Sequence, residues 1–520
     1  MSFFFLVGEA KLARLIYRAW RYALIVKSLA SRLLVLCLVA VITAVVAWIV
    51  ADRTSGDVSS PEAADSPSAR SGAWVESLTS VDPERTPSVE MSMEPEAEAP
   101  SFTSNLPLVV VDTKGRVPDE EFRDWLDSTL TIYVPGESGR ARLGGQVDFS
   151  GRAGFRYRGR SSTSLWPKKQ FAVETRDELG EDRDVSLLGM PAESDWILLG
   201  PYSDKSLIRN VLAYRWSNAI GRYAARTRLV ELFLDFHDGP VEPSDYHGVY
   251  VFLEKLKVSP ARVSLAPLDV SMNTEPEVTG GYLLRKDWGE SELFWTDRGL
   301  ELEFREPKAR EITTEQSKWI ADYVNRFERA LFGDSFTDPA KGYASYIDID
   351  SFVDHFLLVE MTKNGDAYYH STYVHKDRGK KLGMGPIWDF NLSMGNFGRG
   401  ELSSPVGWYW PVRTSTGTQD WYARLLRDPK FVERVQTRWA TLRAGRLAQD
   451  QLIRDIDELA ARLGEAQKRN FERWPVLGRR VRYNERGWRE RTTYASEIEF
   501  LKEWLRRRLV WLDAAMKDLP

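Results

Sequence analysis

Cysteine and histidine are scarce in this chain of 520 residues, which has one cysteine, Cys37, and five histidines. A single cysteine excludes a disulfide within the chain. It does not identify the redox compartment, because a reducing environment and an extracytoplasmic domain without bridges would both account for it. His355, His370 and His375 lack the helical or hairpin spacing of zinc ligands, so we expect no zinc site.

A strong net charge is absent as well. The 71 Lys and Arg residues nearly balance the 75 Asp and Glu residues, which leaves a net charge of −4, so nucleic acid is not an expected partner. Aromatic residues are plentiful instead, with 19 Trp and 23 Phe, and they indicate a well-filled core. The length suffices for one large two-lobed domain or for two ordinary domains.

Residues 33–51 carry no charge and are long enough to cross a bilayer as a single transmembrane helix. Basic residues lie before this stretch and acidic residues come after it, so the positive-inside rule places the N-terminus in the cytoplasm and the rest of the chain outside. A cleaved signal peptide is the rival interpretation, but the apolar run exceeds a usual signal sequence. Residues 1–32 predict either a basic amphipathic segment at the cytoplasmic membrane surface or a simple charged flank.

Residues 52–104 are rich in Ser, Pro, Glu and Ala. Such a composition cannot bury a core, so we expect a disordered acidic linker between the membrane and the remainder of the chain.

From residue 105 to residue 520 the pattern predicts one α+β domain, with a β-rich lobe to about 290 and a helical lobe from about 291. Turns are expected at Gly136, Gly144 and Gly151 in a curved antiparallel sheet. The predicted strands span 106–112, 130–134, 145–149, 154–157, 169–174, 226–236, 246–257 and 279–287. The predicted helices span 205–219, 313–332 and 352–361, with further helices between 421 and 512.

The stretch from residue 360 to residue 396 carries two aspartates at the rims of a predicted hairpin (strands 371–375 and 382–388). Asp366 is expected in a loop after the helix, and Asp389 at the end of the second strand. Two such carboxylates suit phosphoryl transfer, in which one orients and deprotonates a hydroxyl and another holds a divalent cation. Aspartate is also common in turns for purely structural reasons, and spacing alone leaves that alternative open.

Residues 385–396, G-P-I-W-D-F-N-L-S-M-G-N, resemble the core of the CotH kinase family, a group of atypical protein kinases first associated with spore-coat proteins. The preceding N-G-D-A-Y-Y-H-S-T-Y and D-R-G-K-K-L are similar to the same family. The resemblance implies that Asp366 is the catalytic base and that Asp389 is the metal-binding residue of a DFG-like element. Asn391 stands where most members carry a second Asp, and it would be a neutral metal ligand.

Three further segments resemble the family and imply a binding site for ATP. R-G-R-S-S-T-S-L-W-P-K-K (158–169) implies a phosphate-contacting lysine, which is either Lys168 or Lys169, and a solvated strand end is the plainer alternative. H-G-V-Y-V-F-L-E (247–254) implies that Glu254 pairs with that lysine, although it could instead pair across strands with a neighbouring lysine. D-K-S-L-I-R-N (204–210) makes Arg209 a candidate for fixing the lobe geometry or a phosphate, and a capped core helix is again the plainer account.

The resemblance covers roughly residues 106–515 and implies an atypical protein-kinase-like, two-lobed fold behind the membrane helix. Its expected activity is transfer of the ATP γ-phosphoryl group to a protein Ser or Thr, with Mg²⁺ or Mn²⁺ as cofactor and an unidentified protein as partner. A catalytically weak or inactive kinase-fold protein that binds at the cell surface or envelope is the alternative. A third possibility keeps the fold but transfers a different group, because fold does not dictate chemistry.

Overall fold

The computed structural model describes residues 102–519, except 121–122, 160, 238, 288–292, 399 and 413–415. The predicted amphipathic segment (1–32) and the predicted transmembrane helix (33–51) lie outside the described residues. So does nearly all of the predicted acidic linker. Within the described part, no helix has both the length and the apolar character that a membrane span requires. The last two residues of the predicted linker are ordered, since Thr103 and Ser104 pair with Arg142 and Ala141.

Fourteen strands and nine helices are assigned in the described ranges. The strands are β1 (Thr103–Ser104), β2 (Leu108–Asp112), β3 (Leu126–Tyr133), β4 (Ala141–Arg142), β5 (Val147–Arg158), β6 (Gln170–Thr175), β7 (Asp195–Leu199), β8 (Thr227–Asp235), β9 (Tyr246–Glu254), β10 (Tyr282–Lys286), β11 (Leu293–Trp295), β12 (Glu301–Glu306), β13 (Thr372–Lys376) and β14 (Leu382–Met384). The helices are α1 (Ser161–Leu165), α2 (Arg209–Ala219), α3 (Thr314–Phe332), α4 (Ile349–Thr362), α5 (Gln419–Leu425), α6 (Pro429–Arg443), α7 (Gln449–Arg462), α8 (Ala466–Arg473) and α9 (Tyr494–Ala515).

Seven strands close into a barrel in the order β2-β3-β5-β6-β7-β9-β8. Neighbours run antiparallel except β2 and β8, whose parallel pairing completes the closure. Because side chains alternate along a strand, one face of each strand fills the interior, with Phe155, Phe171, Trp196 and Phe252 among the buried side chains. The predicted turn at Gly151 is wrong, since β5 continues through this residue opposite Leu130 of β3.

A second sheet has the strand order β11-β12-β10-β13-β14. It joins β10 and β12 to strands that come after α3 and α4, with β10 paired to β13 over five residues. The predicted lobe boundary at about residue 290 therefore falls inside a sheet and does not separate two parts of the structure. The β-rich part reaches Glu306, and the helical part starts with α3.

Helix α4 forms the centre of the helical part, because every residue from Ser351 to Thr362 is buried. Its end is held by an ion pair that is fully buried on both sides, Glu360 with Arg508 of α9 at 3.3 Å. The Glu360 carboxylate also accepts the backbone N–H groups of Tyr409 and Trp410, both at 2.8 Å. A buried carboxylate with so many donors fixes the point at which the chain leaves the helix.

The mixed α+β class predicted from the sequence is confirmed, with a β-rich part and a helical part in one chain. The predicted helix 352–361 is present as the longer α4, and helix 313–332 is present as α3. Helix 205–219 begins four residues later than predicted, at Arg209. The delay has a local cause, because Asp204 accepts the N–H groups of both Ser206 and Arg209 in a turn that precedes the helix.

Candidate active site

A cleft of about 620 Å³ lies where the barrel meets the helical part. Its walls come from the ends of β5, β7 and β10, from the loop after α4 and from the segment after β14. Its lining includes the charged residues Arg158, Arg285, Asp287, Asp366 and Asp389, and the amide of Asn391. Three of the seven predicted site residues, Asp366, Asp389 and Asn391, thus meet in one cavity.

Asp366 lies in a loop, as predicted, four residues after the end of α4. Lys363 adopts a left-handed conformation with φ of 48°, which ends the helix and turns the chain toward the cleft. Gly365 has no room for a side chain, because a Cβ there would lie 2.2 Å from the ring of Phe397. The Asp366 carbonyl accepts the N–H groups of Tyr369 and His370, which closes a turn immediately after Asp366.

Asp389 comes several residues after β14, because that strand ends at Met384 and not at Trp388 as predicted. Its φ is 62°, a conformation that costs an L-residue other than Gly on the order of 1–3 kcal/mol. Two hydrogen bonds offset this cost: the Asp389 N–H donates to the Tyr214 hydroxyl at 3.0 Å, and Asn364 Nδ2 donates to the Asp389 carbonyl at 3.2 Å. Helix α2 therefore positions the second aspartate.

Asn391 contributes an oxygen suited to a cation. Its Nδ2 donates to Ser203 Oγ at 3.4 Å, while its Oδ1 is buried and accepts no hydrogen bond from any described residue. A buried oxygen that accepts no hydrogen bond lowers the stability of the fold. Proteins tolerate such an oxygen where a ligand or an ion binds to it. Carboxylate and amide oxygens are the donors that Mg²⁺ and Mn²⁺ prefer, so Asp389 with Asn391 fits the expected cofactor.

Asp287 is a third carboxylate in the cleft that the sequence reasoning did not single out. It comes directly after β10, at the end of the predicted strand 279–287, and Arg285 Nη1 lies 3.1 Å from its Oδ2. Burial raises the pKa of Asp389 to about 6, with the charge of Asp287 adding to the rise and that of Arg158 opposing it. A carboxylate at the end of a predicted strand was the signal that could have revealed it.

Arg158 is the cation that the R-G-x-S-S segment contributes to the cleft. It ends β5, its Nη1 donates to Gln170 Oε1 at 3.1 Å, and its guanidinium lies 5.7 Å from the ring centroid of Trp388. Gly159 makes the sharp turn after it with φ of 95°, and a Cβ there would lie 2.1 Å from Ser162 Oγ. The segment thus contributes a cation to the cleft, but that cation is Arg158 and not one of the two lysines that the resemblance implied.

Neither predicted phosphate-contacting lysine is among the residues that line the cleft. Lys168 is buried, and its Nζ donates to the Val249 carbonyl and to Asn470 Oδ1, both at 2.7 Å. Burial without a carboxylate partner lowers its pKa well below the usual range. Lys169 precedes β6, and its Nζ lies 3.2 Å from Glu120.

The predicted pairing of Glu254 with one of these lysines is wrong. Glu254 is fully buried and binds Arg226, whose Nη1 lies 2.6 Å away, and the Tyr223 hydroxyl, which donates at 3.0 Å. Lys168 contacts Val249 near the start of β9, whereas Glu254 ends that strand. Five residues separate the two positions, or about 16 Å along a strand.

The alternative partners of Glu254 are also engaged elsewhere. Lys255 lies 2.7 Å from Asp195, and Lys257 lies 2.9 Å from Glu193. Glu254 is therefore a structural carboxylate at the end of the barrel, and it does not line the cleft.

Arg209 is fully buried, and it contacts the chain near the cleft without lining the cleft itself. Its Nη1 pairs with Asp204 at 2.5 Å, and its Nε donates to the Ser393 carbonyl at 3.1 Å. It thereby ties the start of α2 to the chain just after Asn391. Of the two roles that the sequence left open for Arg209, these contacts favour the geometric one.

Replacing Arg209 by leucine is expected to destabilise the protein by about 3–5 kcal/mol, because Asp204 would be left buried and unpaired. Thermal unfolding followed by circular dichroism measures the change. The control is Arg329→Leu on α3, whose ion pair with Asp297 is exposed on both sides and whose loss should cost less than about 1 kcal/mol. Equal melting temperatures for the two variants would contradict the positioning role.

Comparison with known proteins gives one finding for a family and none for individual sequences. A family model described as "CotH: CotH kinase protein" matches residues 155–512. The match covers more than half of the chain and includes every residue that lines the cleft. No curated protein sequence matches the chain.

Proposed function

The chain belongs to the CotH kinase family, and from this premise we propose that it transfers the γ-phosphoryl group of ATP to a Ser or Thr hydroxyl of a protein. The observation that carries the proposal is the meeting of Asp366, Asp389 and the unsatisfied Asn391 oxygen in one cleft. A carboxylate next to an acceptor hydroxyl, together with an oxygen-lined cation site, is the minimum that phosphoryl transfer needs.

Asp366 acts as the base in this proposal. Its loop position lets the carboxylate orient the substrate hydroxyl and accept its proton as the oxygen attacks the γ-phosphorus. The bond between that phosphorus and the β–γ bridging oxygen breaks, and ADP leaves with the bond's electron pair. The residue contributes by position and by proton acceptance.

Asp389 and Asn391 would hold Mg²⁺ or Mn²⁺, with Asp287 as a further carboxylate of the cleft. When bound, the cation neutralises charge on the ATP phosphates. Arg158 replaces the predicted lysines as the proposed phosphate contact, since a guanidinium presents a fork of donors to phosphate oxygens. Arg285 is held by Glu303 at 2.6 Å and by Asp287, so it is less available for the phosphates.

Cation affinity is expected to depend on pH because the pKa of Asp389 is raised to about 6 without metal. Above that pH the carboxylate is ionised and open to the cation, whereas below it the proton competes and apparent affinity falls about tenfold per pH unit. Mn²⁺ titrations above and below this pH measure the change. Asp389→Asn, which cannot titrate, should remove the pH dependence, and a flat profile in the unaltered protein would refute the expectation.

The Arg158→Gln variant is expected to raise the KM for ATP by about 10- to 100-fold, because it loses one charge-assisted hydrogen bond to phosphate. Steady-state kinetics at saturating acceptor measures it. Lys169→Gln serves as the matched control, because Lys169 Nζ faces Glu120 and its loss should leave KM almost unchanged. The reverse order of effects would restore the lysine as the phosphate contact.

A non-catalytic binding protein of the cell surface or envelope is the second candidate. The neutral Asn391 and the lack of a lysine–glutamate pair among the described residues of the cleft favour it. An enzyme that transfers AMP or another group is a third candidate. Label on the α-phosphate and label on the γ-phosphate of ATP distinguish these candidates by experiment.

We further propose a two-lobed kinase-like domain anchored by one transmembrane helix, residues 33–51, with the N-terminus in the cytoplasm and the domain outside. The charge asymmetry around this uncharged stretch supports the orientation. Protease added to intact cells should digest the domain while a tag at the N-terminus stays protected. Protection of the domain would reverse the proposed orientation.

A further inference from the structure

A short segment near the C-terminus concentrates positive charge in a chain that is otherwise slightly acidic. Residues 479–491, called the basic segment below, contain six arginines and two glutamates, a net charge of +4, while the whole chain has a net charge of −4. The segment connects α8 to α9. Its arginines take no part in the chemistry described so far.

Five of its six arginines are exposed: Arg479, Arg480, Arg482, Arg486 and Arg489. Their side chains form no ion pair with any residue whose position the structure describes, whereas the sixth, Arg491, pairs with Glu485 and Glu497. Arg482 and Arg489 lie over the rings of their neighbours Tyr483 and Trp488 at 5.2 and 4.6 Å. Ring contacts leave the guanidinium N–H groups available to an outside partner.

The basic segment is anchored at the mouth of the cleft. Tyr483 lines the cleft, and its carbonyl accepts the Gly398 N–H at 2.7 Å. Asn484 Nδ2 donates to the Asn396 side chain and to the Ser203 carbonyl, both at 2.8 Å. The arginines are therefore attached to the same chain segment that carries Asp389 and Asn391.

We infer that the basic segment is a docking surface for the protein substrate and selects acceptor hydroxyls that are flanked by acidic residues. The inference rests on the proposed function and names a substrate class for the same site. Because an extended peptide advances about 3.3 Å per residue, arginines beside Tyr483 would meet acidic side chains within a few positions of the acceptor. Anchoring at the cleft mouth favours a peptide over an anionic lipid surface, which would need no proximity to the cleft.

The test uses the full-length chain and two synthetic peptides, each with one central serine, flanked by glutamates in the first and by lysines in the second. The altered protein carries Arg482→Glu, Arg486→Glu and Arg489→Glu. A matched control carries Arg427→Glu, Arg446→Glu and Arg507→Glu, which change the charge equally at exposed positions away from the cleft. Fluorescence anisotropy measures peptide binding, and phosphoryl transfer to each peptide is measured separately.

The unaltered protein and the control are expected to bind the acidic peptide more tightly than the basic one. The triple reversal should weaken binding of the acidic peptide by about tenfold or more, since three exposed pairs each contribute a modest amount. High ionic strength should reduce the preference in the unaltered protein. The KM for ATP should be the same in all three proteins.

Equal affinity of the unaltered protein for the two peptides overturns the docking surface. So does a loss of acidic-peptide binding in the control that equals the loss in the triple reversal. Binding to vesicles of anionic lipid that is lost in the triple reversal, without any peptide preference, overturns it in favour of a membrane contact. Acidic-peptide binding through the arginines without transfer to either peptide defeats the proposed kinase function and leaves the docking surface standing. Phosphoryl transfer to both peptides without any charge preference supports the proposed kinase function and overturns the docking surface.

Discussion

Replacing Asp389 by alanine is expected to reduce phosphoryl transfer by about 10³-fold or more in kcat/KM. Loss of a cation ligand removes several kcal/mol of charge stabilisation from the transition state, and about 4 kcal/mol corresponds to this factor. Steady-state kinetics and Mn²⁺ titration measure the two consequences together, since the cation affinity should fall in the same variant.

Two companion variants separate charge from backbone at this position. Asp389→Asn keeps a residue that tolerates the left-handed φ of 62° but removes the negative charge, so a large loss there shows that the charge matters. Asn391→Asp should bind the cation more tightly, because it adds a carboxylate where the buried Oδ1 now lacks a partner among the described residues. The exposed Asp457, paired with Lys502 on the surface, gives a control alanine variant that should behave normally. An Asp389→Ala protein with most of its activity intact would remove Asp389 from the mechanism.

The Asp366→Ala variant is expected to lower kcat by about 10²- to 10⁴-fold, which is the usual contribution of a positioned general base. The KM for ATP and the affinity for Mn²⁺ should change little, because the proposed role of Asp366 concerns the acceptor hydroxyl. This separation of effects distinguishes it from Asp389. A parallel loss of Mn²⁺ affinity would instead make Asp366 a cation ligand, and unchanged kcat would exclude it as the base.

The sequence predicted the α+β class and most helices correctly because the apolar periodicity of these segments matches their burial. It also brought together Asp366, Asp389 and Asn391, which lie within one short stretch that leaves α4 and returns after β14. Spacing along the chain limits how far apart in space such closely spaced residues can lie. The strand preceding Asp389 was predicted four residues too long, although Gly385 and Pro386 directly follow Met384 and proline has no N–H for pairing with β13.

The lysines and Glu254 could not be placed from the sequence, since the side chains that they bind lie outside the segments that resemble the family. Lys168 binds Asn470, which is 302 residues away in the chain, and this contact draws it away from the cleft. Glu254 is satisfied by Arg226, which immediately precedes the neighbouring strand β8. Arg158 ends β5, a strand that runs through Gly151, where a turn was expected.

The most direct test of the proposed phosphoryl transfer traces label from ATP to protein, with the full-length chain, Mg²⁺ or Mn²⁺, and ATP labelled on either the γ- or the α-phosphate. The account predicts transfer of the γ-label alone, to a serine or threonine, and its loss in both Asp366→Ala and Asp389→Ala proteins that melt at the unaltered temperature. Transfer of the α-label would contradict kinase chemistry in this cleft. No transfer, together with no thermal shift on adding nucleotide and cation, would contradict the enzyme and leave a binding protein with a kinase fold.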